Sequence, residues 1–281
     1  LGLPQEMVRV KLMPNGGGFG GKEDLAVQGH ASLAAFLMKK PVRVALTREE
    51  SICMHPKRHP LTMEIEMGCD SNGRFTFVKS DIIGDTGAYA SVGMKVLERA
   101  AGHATGAYHV DAVEVRSRAV YTNNIPCGAM RGFGVNQINF AVESCVDELC
   151  EMGGFDRWQI RYDNALTPGG MTSTGQVLQS GIGIRKTLEV VKDVFQQSRH
   201  AGIACGIKNT GIGNGVPDTG KVKIVIESPE RILIHQGWTE MGQGVYTMAV
   251  QFFCEVTGLS PEIVEVIVDT ACLLYTSDAA D

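Results

Sequence analysis

An α+β fold, made of mixed sheets and hairpins with helices following glycine-rich turns, is what this 281-residue sequence predicts. Three observations lead there. Short runs of alternating, β-branched residues recur along the chain, as strands with one buried face require. Stretches with apolar residues three and four apart lie among them, without the steady strand–helix alternation of a parallel α/β sheet. Glycine is abundant, with 34 residues, and clusters where strand-like runs give way to helix-like ones.

The elements follow in order. Strands are expected at residues 8–13, 42–46, 62–67 and 74–83, the last two joined by a hairpin turn at Asp70-Ser71-Asn72-Gly73. Further strands are expected at 113–119, 221–226, 231–235 and 263–268. Helical spacing marks 24–39, 139–152 (Phe140, Cys145, Leu149, Met152), 184–197 (Leu188, Val191, Phe195) and 245–256. The turn-rich "NALTPGGMTSTGQ", residues 164–176, is the best boundary, giving a first domain over 1–165 and a second over 177–271. No internal repeat is evident. Residues 272–281 read as a non-native tail, and Leu1 opens in mid-sequence, so the chain reads as part of a longer protein.

Composition excludes several function classes. The net charge is −5, and no Lys/Arg cluster offers a footprint for nucleic acid or an acidic membrane. No apolar run approaches the roughly 18 residues that a membrane span requires. The eight cysteines are scattered without a Cys-x-x-C pair, which suits buried thiols in a reducing cytoplasm and no iron–sulfur cluster on this chain.

Chemistry concentrates at three glycine-rich junctions. "MPNGGGFGGKED", residues 13–24, fits G-x-G-x-x-G through Gly16, Gly18 and Gly21, and G-x-x-x-x-G-K through Gly16, Gly21 and Lys22. Neither pattern completes. Glu23 stands where a P-loop needs Ser or Thr, and "MKKPVRV" stands where a dinucleotide fold needs its ribose-binding acid. "GAMRGFGVNQ" (128–137) and "GWTEMGQGVYT" (237–247) also put glycines and a polar or aromatic residue before a helix. Together they point to an extended, phosphate-bearing ligand held by backbone amides and helix N-termini.

The stretches "GGGFGGKE", "ERA", "RGFG" and "EMGQG", in this order and spacing, resemble the xanthine dehydrogenase/aldehyde oxidase family, the molybdenum hydroxylases, over residues 8–270. The resemblance implies molybdopterin, bare or as its cytosine dinucleotide, held by Gly18, Phe19, Gly20, Arg131, Met241, Gly242 and Gln243. Phe19 and Arg131 would lie near the metal without ligating it, since the cofactor's own sulfurs carry the metal. It further implies Glu23 and Arg99 gripping a heterocycle from two sides, with Phe133 against the ring. The implied reaction is hydroxylation of an N-heterocycle, a purine such as xanthine or hypoxanthine, or alternatively of an aldehyde or a nicotinate-type ring. Water supplies the oxygen, and electrons pass to [2Fe–2S] clusters and FAD on other domains or subunits of a cytoplasmic oligomer.

The general-base Glu is expected in a segment C-terminal to this chain, so the chain alone is expected to be inactive. The purine enzymes' Phe-Thr pair would fall at Asn214 and Gly215 and is absent. Without the resemblance, Glu23 reads equally as a cap on a helix from residue 24, and Arg99 as an ion-pair partner of Glu98. His59 reads as structural. The reading from another class is a non-catalytic module that binds a phosphorylated cofactor or a partner subunit.

Overall fold

The computed structural model describes residues 1–11, 13, 15–210 and 220–267. In chain order the helices are α1 (Gln28–Met38), α2 (Arg48–Met54), α3 (Gly93–Ala101), α4 (Val135–Gly153), α5 (Arg157–Asn164), α6 (Ile184–Gln197) and α7 (Val245–Thr257). The strands are β1 (Leu61–Cys69), β2 (Phe75–Asp85), β3 (Ala112–Val120), β4 (Val222–Ser228), β5 (Arg231–Gln236) and β6 (Val264–Ile267). They divide between two compact units, Phe19–Ala31 with Arg43–Asn209, and Leu1–Gly18 with Ser32–Val42 and Thr210–Asp281.

The larger unit is built on the sheet β1-β2-β3, antiparallel between β1 and β2 and parallel between β2 and β3. The expected hairpin turn is present. Asp70 Oδ1 accepts from the amides of Asn72 and Arg74 at 2.8 and 3.0 Å, and Gly73 takes φ 81°. Cys69 pairs with Phe75 but Gly68 with Phe77, so a bulge at Thr76 switches which positions of β2 face inward. Phe75 lies before the switch, and Val78, Ser80, Ile82 and Gly84 lie after it, all buried. The parallel β2–β3 pair requires a crossover, which α3 supplies. Bare Gly84 admits it, since a Cβ there would sit 2.4 Å from Leu97 Cδ2.

On the core formed by Phe75, Ile82, Val96, Tyr108, Ile138 and Val142 lies a buried charge network. Arg161, fully buried, donates through Nε to Glu143 at 2.8 Å and through Nη2 to Asp147 at 2.9 Å. The Tyr108 hydroxyl donates to the other oxygen of Glu143. Burial first, and Glu143 second, push the Tyr108 pKa above its ordinary value, so it remains a phenol. Asn164 closes the same region, accepting from Phe75 N at 2.8 Å and donating to Gly73 O and Ile160 O.

The smaller unit repeats this topology. β4 and β5 form an antiparallel hairpin, α7 crosses over, and β6 pairs parallel to β5. A strand–strand–helix–strand motif thus occurs twice, a repeat that side-chain patterns do not reveal. Among the described residues, 8–13 and 42–46 are not strands; residues 42–46 alternate in exposure, yet no neighbour pairs with them. Asn214, Gly215, Val268 and the tail 272–281 lie outside the described residues. No described helix is long and apolar enough to cross a membrane.

Arg161→Met is expected to cost about 3–5 kcal/mol, because the buried Glu143 carboxyl would lose its guanidinium partner. Arg74→Met, which breaks an exposed pair with Asp111 at 2.8 Å, is expected to cost under about 1 kcal/mol. Urea unfolding of both variants measures the difference.

Candidate functional site

In the larger unit the first two glycine junctions meet. The Phe19 carbonyl accepts the Arg131 N–H at 2.8 Å. Phe19 and Phe133 both adopt left-handed backbone, with φ of 54° and 52°. Such a conformation costs an L-residue about 1–2 kcal/mol, and it tends to survive where function requires it. The Phe19 ring is 64% exposed despite this constraint. Gly20, at φ 87°, lies so close to the second junction that a Cβ would stand 2.9 Å from the Ala129 carbonyl carbon.

Glu23 and Asp24 follow at once. Ser91 Oγ donates to Asp24 Oδ1 at 2.8 Å, and a Cβ on Gly128 would meet Asp24 Oδ2 at 2.4 Å. Asp24 therefore bonds to the approach to α3 and packs against bare Gly128 of the second junction. The expected helix from residue 24 begins instead at Gln28, whose Oε1 accepts the amides of Ala26 and Val27 at 3.0 Å each. Those bonds order the turn just before the helix, and Glu23, five residues before its start, is not its cap. Desolvation, and then the Asp24 carboxylate, raise the Glu23 pKa above its ordinary value.

Arg99 sits in the last turn of α3, where a cation complements the helix dipole. Its carbonyl accepts from His103 Nδ1 at 2.8 Å. Gly134, at φ 95°, pins this helix beside Phe133, since a Cβ there would fall 2.2 Å from the Val96 carbonyl oxygen. Phe133 itself is partly buried against the core. His59 is 2% exposed and keeps a backbone hydrogen bond with Gly128. Burial, the largest cause, lowers its pKa, as a neutral structural histidine requires.

The smaller unit holds the rest. A Cβ on Gly18 would come within 2.7 Å of Met241 Sδ, so that side chain lies over bare backbone. In the "EMGQG" loop Glu240 Oε1 accepts the amides of Gly242 and Gly244 at 2.7 and 3.0 Å, and Oε2 accepts Tyr246 N at 3.3 Å. These bonds, led by Gly244, hold the Glu240 pKa below its ordinary value. Gln243 closes the loop, accepting from Met241 N at 2.6 Å and donating to Thr239 O at 2.8 Å. A carboxylate of the chain therefore already occupies the amides of Gly242 and Gly244 before α7 and of Tyr246 in its first turn. What the loop presents outward is the bare backbone of Gly242 and Gly244, where an added Cβ would meet nothing within 4 Å. Glu240, Asp24 and Ser91 were not anticipated as site residues. Their signal in the sequence is slight: each is a polar neighbour of a motif or of a helix start.

The family model described as the molybdopterin cofactor-binding domain matches residues 1–165, and a second of the same description matches 182–280. The chain belongs to the molybdopterin-binding subunits of the xanthine dehydrogenase family. It is 44% identical over 193 residues to the nicotinate dehydrogenase large molybdopterin subunit of Eubacterium barkeri, covering 69% of this chain and 45% of that protein. It is 31% identical over 286 residues to the xanthine dehydrogenase molybdenum-binding subunit of Escherichia coli O157:H7, covering 95% and 38%. Quinoline 2-oxidoreductase from Pseudomonas putida superposes with a TM-score of 0.82 at 26% identity, covering 93% of this chain and 37% of that one. Aldehyde oxidoreductase from Desulfovibrio gigas gives 0.84 at 25% identity, covering 90% and 29%. The chain thus spans less than half the length of these relatives.

The residues present fit a molybdopterin. A flat pterin requires close backbone approach, and Gly16, Gly242 and Gly244 leave open space where side chains would stand. Among the described residues no three His, Cys, Asp or Glu side chains gather as metal ligands.

Gly154, at φ 68°, has open space around it, and its replacement by Ala is expected to cost about 1–2 kcal/mol for the backbone alone. Gly20→Ala is expected to cost more, because the added methyl also drives the two junctions apart. Equal losses in urea unfolding would show that the close approach is unimportant.

Proposed function

We propose that this chain is the cofactor- and substrate-holding part of a molybdenum hydroxylase acting on an N-heterocycle, a purine such as xanthine or hypoxanthine. The observation that carries the reading is the meeting of Phe19 and Arg131, two strained motif segments joined backbone to backbone. Two of the relatives, moreover, are named for ring-nitrogen substrates, nicotinate and xanthine.

The bound cofactor supplies the redox chemistry by which a ring C–H and water become C–OH, with two electrons and two protons released. The chain's own residues bind and orient. Gly18, Gly20, Met241, Gly242 and Gln243 offer backbone and a soft side chain to the pterin, with Phe19 and Arg131 beside its metal end. Because Glu240 already fills the amides before α7, the pterin's phosphate takes its donors from other groups. Glu23, held next to the Ser91-bound Asp24, accepts a ring N–H or shares a proton with a ring nitrogen. Burial, and then the Asp24 carboxylate, raise its pKa, which favours the sharing of a proton. Arg99 stabilises negative charge that moves onto a ring oxygen, and Phe133 packs on the ring. Electrons leave to [2Fe–2S] clusters and FAD on other domains or subunits, in a cytoplasmic oligomer. Residues 1–165 and 177–271 act as the two cofactor-binding domains.

An aldehyde offers neither the ring N–H nor the remote oxygen, which gives a direct test. In the full-length enzyme, Arg99→Met is expected to lower kcat/KM for an oxopurine by roughly 10²–10³. An aromatic aldehyde should lose far less, and Glu23→Ala should discriminate in the same direction. Equal losses on both substrates would replace the purine reading with a general aldehyde or heterocycle hydroxylase.

A further inference from the structure

Glu23 and Arg99, the two charges read as gripping the substrate, stand on different elements, and a hydrogen bond ties those elements together. Glu23 is exposed, and among the described residues its carboxylate takes no hydrogen bond, so its own backbone sets its place. That backbone is held on either side against consecutive residues of the second junction. Before it, Gly20 packs on Ala129, and the Gly20 carbonyl accepts the Glu23 N–H at 3.4 Å. After it, Asp24 packs on Gly128. Asp24 is also the residue that Ser91 reaches, with the hydroxyl 2.8 Å from Oδ1 and 3.0 Å from Oδ2.

Ser91 is a firm anchor. It lies inside the turn from Ala90 to Gly93, where the Gly93 N–H donates to the Ala90 carbonyl at 2.8 Å, and Gly93 opens α3. The opening is itself wedged, because a Cβ on Gly93 would fall 2.3 Å from Thr86 Cγ2. Arg99 rides in the last turn of that helix. Ser91 nevertheless holds φ at 39°, in the left-handed region where an L-residue is strained and glycine is not. Backbone conformation alone favours glycine at this position. What serine adds is the hydroxyl, and it goes to Asp24.

We propose that Ser91 is a positioning residue for the substrate site, whose bond to Asp24 sets the separation between Glu23 and the helix that bears Arg99. With the bond in place, one planar ring meets both groups. Without it the Glu23 turn shifts against α3, and the two groups no longer match a single ring. The proposal rests on the reading of Glu23 and Arg99 as substrate-facing, and it adds to that reading what holds them in register. Ser91 touches no substrate and acts through Glu23.

The test uses the full-length enzyme with its cofactor and electron-accepting partners. The variants are Ser91→Gly, Ser91→Asn, Glu23→Ala and the double variant Ser91→Gly with Glu23→Ala. Glycine removes the hydroxyl and relieves the strain but loosens the unfolded chain, so Ser91→Gly should unfold in urea close to wild type. Asparagine tolerates the left-handed region and offers an amide N–H to Asp24. Ser91→Gly should raise KM for xanthine by about 10-fold, and equally its calorimetric Kd on pre-reduced enzyme that cannot turn over. Ser91→Asn should restore most of the loss. In the Glu23→Ala background, Ser91→Gly should add little, since the residue through which Ser91 acts is gone. A merely structural role would give equal losses in both backgrounds. That result, or no loss in Ser91→Gly, overturns the proposal while leaving the substrate reading intact. Xanthine that wild type does not bind, or that Glu23→Ala binds and turns over as wild type does, would overturn the underlying reading and the proposal with it.

Discussion

The hydrogen bond from Arg131 N–H to the Phe19 carbonyl is the constraint on which the site depends. It joins two loops that are more than a hundred residues apart in sequence, and it requires strained backbone on both sides, at Phe19 and Phe133. An exposed aromatic in left-handed conformation has little to gain from folding alone. Its retention makes sense if the 64% exposed Phe19 ring is meant for a ligand. Gly20 and Gly134 are the reciprocal of that strain, since each lets a backbone segment come closer than any side chain would allow.

Around this contact the fold acts as a rigid mount. The crossover helix α3 carries Arg99 and is pinned from two sides, by bare Gly84 on the sheet and by Gly134 at the second junction. The network of buried Tyr108, Glu143 and Arg161 with the half-exposed Asp147 locks α4 to α5 behind it. Such a network adds little net stability over a well-packed apolar core, but each member strongly penalises the loss of another. In the smaller unit a different device serves the same end, for Glu240 satisfies the amides before α7 and fixes the loop that presents Gly242 and Gly244.

Much of this was legible in the sequence, and the failures are instructive. The β1–β2 hairpin announced itself through alternation and an Asp-Ser-Asn-Gly turn, because both signals are local. Residues 42–46 have the same alternation and remain unpaired, since a strand needs a neighbour that sequence alone does not supply. Helix α3 is short and opens at a glycine, so its spacing was too brief to read even though it bears Arg99. Helix α2 escaped for the same reason, despite the capping box between Thr47 and Glu50. The repeated strand–strand–helix–strand topology is a property of pairing and leaves no trace in residue types. The motif glycines and charges were visible one by one. What could not be seen was their fastening, through Asp24 to Ser91 and through Glu240 to its own loop.

The central claim is that the touching junctions hold the pterin, and it is tested most directly by cofactor content. The measurement is the molybdenum and fluorescent oxidised pterin released from purified full-length protein, for wild type, Gly20→Val and Gly242→Val, with circular dichroism to confirm folding. A Gly20 side chain would part the junctions, whereas one on Gly242 would only fill the open face. The account predicts a stoichiometric complement in wild type and a severe loss in both folded variants. Folded variants that retain the full wild-type complement would contradict it.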